Sequence, residues 1–250
     1  MNRTPIMEAR NIAKELGEGA SKVQALKGVS FRLYPGELTL LMGPSGSGKT
    51  TLLSILGCIL SATAGSVSVA GESADGLDPE GLADLRRRHI GFVFQSYNLF
   101  PTLNALENVR IALDVRGAKP VETIARAEAA LREVGLGHRL RNFPRNMSGG
   151  EQQRVAVARA LAGKPSVILA DEPTAALDSE NGHAVMELLA EIAKDKHRAV
   201  LAVTHDPRTQ AYADRILRIE DGLIISDDRP ADTSQNVTKI DVNKKRKVNA

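Results

Sequence analysis

Apolar runs along this chain alternate between strand length and helix length. Residues 38–42 form a short, unbroken apolar run closed by glycine, as expected of a parallel strand buried on both faces. Residues 51–60 read as a helix, with Leu52, Leu53, Ile55, Leu56 and Ile59 as its apolar body. Val67-Ser68-Val69 alternates like a strand, and residues 71–79 are rich in turn formers. Residues 90–94 read as a strand with Phe92 and Phe94 on one face. From 96 to 145 the pattern changes to helix and loop, with Ile124, Ala127, Leu131 and Val134 at helical spacing, which predicts an inserted helical subdomain. A helix (151–162), a strand (167–170), a helix (180–193) and a strand (199–203) follow. The second of these helices carries Ala184, Val185, Leu188, Leu189 and Ile192 on one face. Residues 216–219 and 223–225 flank Asp221-Gly222 as a terminal hairpin. The alternation is that of an α/β protein.

Charge adds little to this and removes one reading. The 250 residues carry a net charge of +3, and the isoelectric point near 9.0 invites a nucleic-acid partner. From Asp227 onward, however, six Lys and Arg face four Asp, so +2 of the +3 sits in the tail and the body is nearly neutral. Lys244-Lys245-Arg246-Lys247 then reads as a solvated run, and no nucleic acid is expected. Few large apolar residues follow Arg229, so the tail is expected to be disordered. The single cysteine, Cys58, excludes an internal disulfide and reads as structural. Arg3, Glu8 and Arg10 occupy the N-terminus without an apolar stretch, so no signal peptide is expected. No run reaches the roughly 18 apolar residues of a membrane span.

Chemistry concentrates in short motifs. Gly43-Pro44-Ser45-Gly46-Ser47-Gly48-Lys49-Thr50 is a full G-x-x-x-x-G-K-[ST] loop between an apolar strand and an apolar helix. Its glycines let the backbone wrap a phosphate chain, with successive N–H groups and a helix N-terminus as the anion cradle. Lys49 is expected to reach the β- and γ-phosphates of ATP, and Thr50 to ligate Mg²⁺. The apolar strand 167–170 ends in Asp171 and Glu172, a candidate Mg²⁺ holder and a candidate general base. His205 ends another strand, where an imidazole can hold attacking water in line. Gln95 also ends a strand and can ligate Mg²⁺ or orient water, although alone it reads as readily as a turn residue. His89, His138, His183 and His197 have no such setting and are expected at the surface. Ser148-Gly149-Gly150-Glu151 opens a helix and reads either as an ordinary cap or as a second phosphate-binding end without a lysine.

Taken together, these motifs resemble the nucleotide-binding subunit of ATP-binding cassette (ABC) transporters, over roughly residues 5–226. The resemblance implies a P-loop NTPase (RecA-like) mixed sheet core with an N-terminal antiparallel β subdomain and an inserted α-helical subdomain. It sets an ATP-binding domain at 5–228, the helical subdomain at about 96–150 and a polar tail at 229–250. It matches Gly43 to Thr50, with Thr51 beside them, to the Walker A loop, and Gln95 to the Q-loop. Ser148, Gly149 and Gly150 match the signature, Asp171 and Glu172 the Walker B end, Asp178 the D-loop and His205 the switch histidine. Lys49, Glu172 and His205 are then catalytic, and Thr50, Gln95 and Asp171 form the Mg²⁺ set. In that family two subunits bind head to tail, each nucleotide meeting Walker A of one copy and the signature of the other. A homodimeric ATPase is therefore expected.

Residues 91–109, the MSGGEQQR form and Ala170-Asp171-Glu172-Pro173-Thr174 resemble one branch, that of macrolide exporters, lipoprotein-releasing complexes and a cell-division pair. This implies a separate, FtsX-like integral-membrane permease, contacted near Tyr97, Leu99 and Phe100, and a peripheral site on the cytoplasmic face of the inner membrane. Export or extraction is the expected role. A same-branch ATPase that transmits force to a periplasmic partner without moving cargo is the alternative. Phe92 and Phe94 are expected in the core. The sequence departs from the family's pattern where adenine is usually stacked: residues 14–24 hold no aromatic, and Leu16 takes that place. Weaker base discrimination is expected. Met147 and Ala175 also replace the family's usual Leu and Gly, with no chemical group lost.

Overall fold

A computed structural model of the chain describes residues 3–19 and 22–230. Two sheets organise it. Strands β1 (Met7–Leu16), β2 (Val23–Leu33), β4 (Ala64–Val69) and β5 (Glu72–Ser73) form an antiparallel sheet in the order β2-β1-β4-β5. The larger sheet runs β10-β9-β3-β8-β7-β6, from β3 (Leu38–Met42), β6 (Ile90–Val93), β7 (Val167–Asp171), β8 (Ala199–Thr204), β9 (Arg215–Glu220) and β10 (Leu223–Asp228). Its pairs are parallel except β9–β10, the hairpin expected around Asp221-Gly222.

The period-2 geometry of strands divides the core. Leu38, Leu40, Met42, Ile168 and Ala170 face one apolar cluster, shared with α3 (Ala105–Val115), α4 (Pro120–Glu133), α5 (Gly149–Leu161) and α6 (Ser179–Ala193). Leu41, Val167 and Leu169 face a second, shared with the antiparallel sheet and α1 (Lys49–Leu56). The mixed P-loop core, the antiparallel β subdomain and the helical insertion are all present. Among the described residues no helix is long and apolar enough to cross a membrane.

Several expectations need correction. The first helix stops at Leu56, with Gly57 as its C-cap, and Ile59 is exposed beyond it. Ala127, Leu131 and Val134 are buried as predicted, but Ile124 faces solvent because α3 and α5 cover too narrow a stripe of α4. His89 is not a surface residue. It ends α2 (Pro79–His89) half-buried, with Nε2 3.0 Å from Glu72 Oε1 and Nδ1 3.2 Å from Ser166 Oγ. Cys58 is buried in a left-handed turn (φ 54°), which fits its structural reading. Arg229 pairs with the buried Glu37; the remainder of the expected tail, 231–250, lies outside the described residues.

Candidate nucleotide site

The register of the large sheet brings the motifs together. Met42 pairs with Thr204, Asp171 with Val203 and Val93 with Ala170. Gly43, His205, Glu172 and Gln95 therefore leave neighbouring strands at one carboxyl edge, where open α/β sheets form their ligand crevice. A cleft of about 880 Å³ lies there. Pro44, Ser45, Gly46, Gly48, Lys49, Thr50, Thr51, Gln95, Glu172 and His205 line it, with Leu16 and Val23 at one end. A slightly larger cleft, about 990 Å³, sits between α4, α5 and α6. It is bordered by the C-terminal parts of α5 and α6, whose carbonyl ends disfavour an anion.

The phosphate loop is shaped by what lies behind it. Gly46 (φ 81°) and Gly48 (φ 98°) occupy the left-handed region. A Cβ on Gly43 would stand 2.1 Å from the Ile219 carbonyl oxygen, and one on Gly48 2.7 Å from that of Ala25. Only glycine lets the loop pass between β2 and β9. Gly48 is the N-cap of α1, where no side chain caps the helix and the first turn holds no acidic residue. The first N–H groups of a helix have no partner within it, and Lys49, Thr50 and Thr51 of that turn line the cleft. Lys49 Nζ donates to the carbonyls of Gly43 (2.8 Å) and Pro44 (2.7 Å), which holds the ammonium against the loop. The hairpin turn supports it from outside, as Gly222 N–H donates to Ser47 O at 3.2 Å.

Acidic groups stand opposite. Thr50 Oγ1 donates to Asp171 Oδ1 across 3.5 Å. Burial, and then the charge of Glu172, push the Asp171 carboxyl above its ordinary range, while Thr50 and Lys49 pull the other way. Glu172 adopts a left-handed backbone (φ 45°), a strain of about 1–3 kcal/mol for a non-glycine residue. Its N–H is fixed on Val203 O at 3.0 Å, which holds the conformation. The twist brings Glu172 Oε1 to 2.8 Å from His205 Nδ1. The carboxylate is 16% exposed and the imidazole 68%, so the pair presents its histidine side to solvent.

The signature residues stand elsewhere. Ser148, Gly149, Gly150 and Asp178 do not line the cleft of their own chain. Ser148 is the N-cap of α5 in a complete capping box: its Oγ accepts from Glu151 N–H at 3.2 Å, and Glu151 Oε2 accepts from Ser148 N–H at 2.9 Å. The cap reading is therefore realised, and it leaves the hydroxyl proton of Ser148 free to donate. The Ser148 N–H, and secondarily Arg139, hold the Glu151 carboxyl below its usual range. Asp178 caps α6 through Asn181 N–H at 2.9 Å.

Two features went unread in the sequence. Val23 stands across the β1–β2 register from Leu16, and together they form the apolar end of the cleft. Gln153 is fully buried and donates from Nε2 to Pro173 O at 2.8 Å, tying the signature helix to the residue after Glu172. The available signal was one amide on the face of Ala156, Val157 and Ala160. The three residues expected at a partner interface divide: Phe100 is 47% exposed, Leu99 packs on the core, and Tyr97 is half-buried. Phe92 and Phe94 are half-buried and stack at 4.7 Å, with Phe92 against the core.

Residues 26–175 match the family model described as ABC transporter. The chain belongs to the ABC transporter family of ATP-binding domains. It is 44% identical to the macrolide export ATP-binding/permease protein MacB of Marinobacter nauticus over 98% of its length, and that match covers 38% of the relative. The MacB protein of Escherichia coli is likewise 44% identical, over 94% of this chain and 36% of its own. The chain thus spans little more than a third of these curated relatives. Among solved structures, the dimeric ATP-binding cassette MJ0796 bound to ADP and Pi superposes with a TM-score of 0.80 at 39% identity, covering 89% of this chain and 98% of that one. As an ABC ATPase, the chain binds ATP and hydrolyses it to ADP and phosphate.

Proposed function

We propose that this ABC ATPase works as a head-to-tail homodimer and drives export or extraction through a membrane permease of the FtsX-like type. One observation carries the reading. The cleft gathers Lys49, Thr50, Gln95, Glu172 and His205 but not Ser148, Gly149 and Gly150; of these, Ser148 is exposed and Gly149 half-buried at the capped start of α5, with Gly150 buried behind them. The dimeric state of the solved cassette at 39% identity supports it. The relatives are named ATP-binding/permease proteins, and this chain matches little more than a third of their length.

In this reading the α1 N-terminus and Lys49 hold the β- and γ-phosphates. Glu172 takes a proton from water as its oxygen attacks the γ-phosphorus and the bond to the β-phosphate oxygen breaks. That role is worth roughly 10²–10⁴ in rate. His205, bonded to Glu172, fixes the carboxylate and turns toward the γ-phosphate. Thr50, Gln95 and Asp171 are hard oxygen donors of the kind that suit Mg²⁺, and a carboxyl pushed up by burial gains from a cation beside it. Bound there, Mg²⁺ supplies charge neutralisation on the phosphates. Ser148, Gly149 and Gly150 of the other copy donate to the same γ-phosphate from a helix N-terminus, and Asp178 lies at that junction. Leu16 and Val23 cover the base without a stacking aromatic. The exposed Phe100 faces the permease, on the cytoplasmic face of the inner membrane.

Sedimentation velocity of Glu172→Gln tests the reading. With saturating ATP and Mg²⁺ it should sediment as a dimer, and without nucleotide as a monomer. A protein that stays monomeric under both conditions contradicts it.

A further inference from the structure

Arg159 lies on the last turn of α5, the helix that starts at the signature. Among the described residues no carboxylate pairs with its half-buried guanidinium. Nη2 donates to Tyr97 O at 2.7 Å and Nη1 to Asn98 O at 2.5 Å. Those two residues are successive and both left-handed, at φ 59° and 49°. Asparagine tolerates that region, whereas tyrosine does so only when its surroundings hold it there. A charge taken from water without a counter-charge is costly, and burial pulls the pKa of Arg159 down. Among the described residues, the hydrogen bonds of that guanidinium go to this loop.

The loop so fixed touches three other segments. The Tyr97 hydroxyl donates to Ala176 O across 3.4 Å, two residues before Asp178. A Cβ on Gly149 would come within 3.0 Å of the same hydroxyl. At the far side, the buried Asn108 grips Phe100 by both its N–H (2.8 Å) and its carbonyl (3.1 Å). The segment from Tyr97 to Phe100 is thus clamped at both ends, with Phe100 outward and Tyr97 against the signature and the D-loop.

We propose that Arg159 is a positioning residue: by clamping the carbonyls of Tyr97 and Asn98 it seats Tyr97 against Gly149 and Ala176. The signature end is thereby held at the reach needed to meet a second copy's nucleotide, and force on Phe100 arrives at that end. This rests on the head-to-tail dimer proposed above. It differs from a simple brace of the fold, which would affect nucleotide binding and assembly together.

The test uses the full chain in a Glu172→Gln background. Affinity of the monomer for a fluorescent ATP analogue with Mg²⁺ is measured beside ATP-driven dimerisation by sedimentation. Arg159→Ala should leave nucleotide affinity within about twofold while weakening dimerisation by about tenfold or more, the scale of losing charged hydrogen bonds. Arg159→Lys, which keeps one donor to a carbonyl, should recover part of the loss. If Arg159→Ala does not fold, Tyr97→Phe decides, with weaker dimerisation expected at unchanged nucleotide affinity. Unchanged dimerisation in the deciding variant, or equal losses in both measurements, overturns the proposal. A Glu172→Gln parent that never dimerises with ATP would remove the dimer reading, and this inference with it.

Discussion

The chain has two helix N-termini suited to phosphate, and they are built in opposite ways. At α1 the N-cap is a left-handed glycine, no side chain caps the turn, and a lysine lies across the loop. At α5 the N-cap is a serine in a complete capping box, backed by Glu151 and Arg139. The first end is short of partners until an anion arrives, so it binds nucleotide by itself. The second is stable without ligand, and its nearby cation, Arg139, is already paired with Glu151, so in the proposed dimer it adds donors only to phosphate that another site already holds. The asymmetry separates binding from closure. In the proposed dimer an isolated copy takes up ATP, while the geometry for hydrolysis waits for a second chain.

The largest expected effect breaks the first end. Lys49→Ala removes the ammonium that offsets the phosphate charge, and ATP binding measured by calorimetry should fall below detection. Ser148→Ala breaks the second end and should leave ATP affinity of the monomer unchanged. It should lower steady-state ATPase by about two orders of magnitude, the scale of losing one transition-state donor. It should also cost about 1 kcal/mol of stability by chemical denaturation, the cap's share. Leu16→Tyr sharpens the first end: a stacking ring should favour ATP by about 1–3 kcal/mol in a binding titration and widen discrimination against non-purine triphosphates. The smallest effect concerns the cap's charge. The Glu151 carboxyl is held below its ordinary range, so its stabilisation is complete above the unfolded value near 4.3 and is lost as pH falls through the lower folded value. The gap in thermal midpoint between the native chain and Glu151→Gln should therefore be full at pH 7 and close as the solution is acidified below pH 4.

Much of this asymmetry could be read from residues alone, because local spacing encodes it. The glycines and lysine of 43–50, the carboxylates ending β7 and the serine opening α5 each sit at the boundary of an apolar run, and the parallel register then brings the strand ends together. What stayed hidden depends on contacts between distant segments. The left-handed backbone of Glu172 is set by its bond to Val203 in the neighbouring strand. The need for glycine at the C-cap of α1, Gly57, is set by packing, since the Phe92 ring stands 2.5 Å from where a Cβ would lie. His89 reads as an exposed histidine until β5 and the start of β7 enclose it. Tyr97 reads with Phe100 as part of an interface, and nothing local shows that its carbonyl accepts from an arginine 62 residues away.

The most direct measurement mixes two inactive variants. Ser148→Ala and Glu172→Gln are combined at equal concentration before ATP is added, and phosphate release is followed. In a shared head-to-tail site, the mixed pair contains one complete pocket: Glu172 from the first variant and Ser148 from the second. The mixture should therefore hydrolyse ATP well above the sum of the two proteins assayed apart. A rate no greater than that sum would contradict the claim that two chains build each active site.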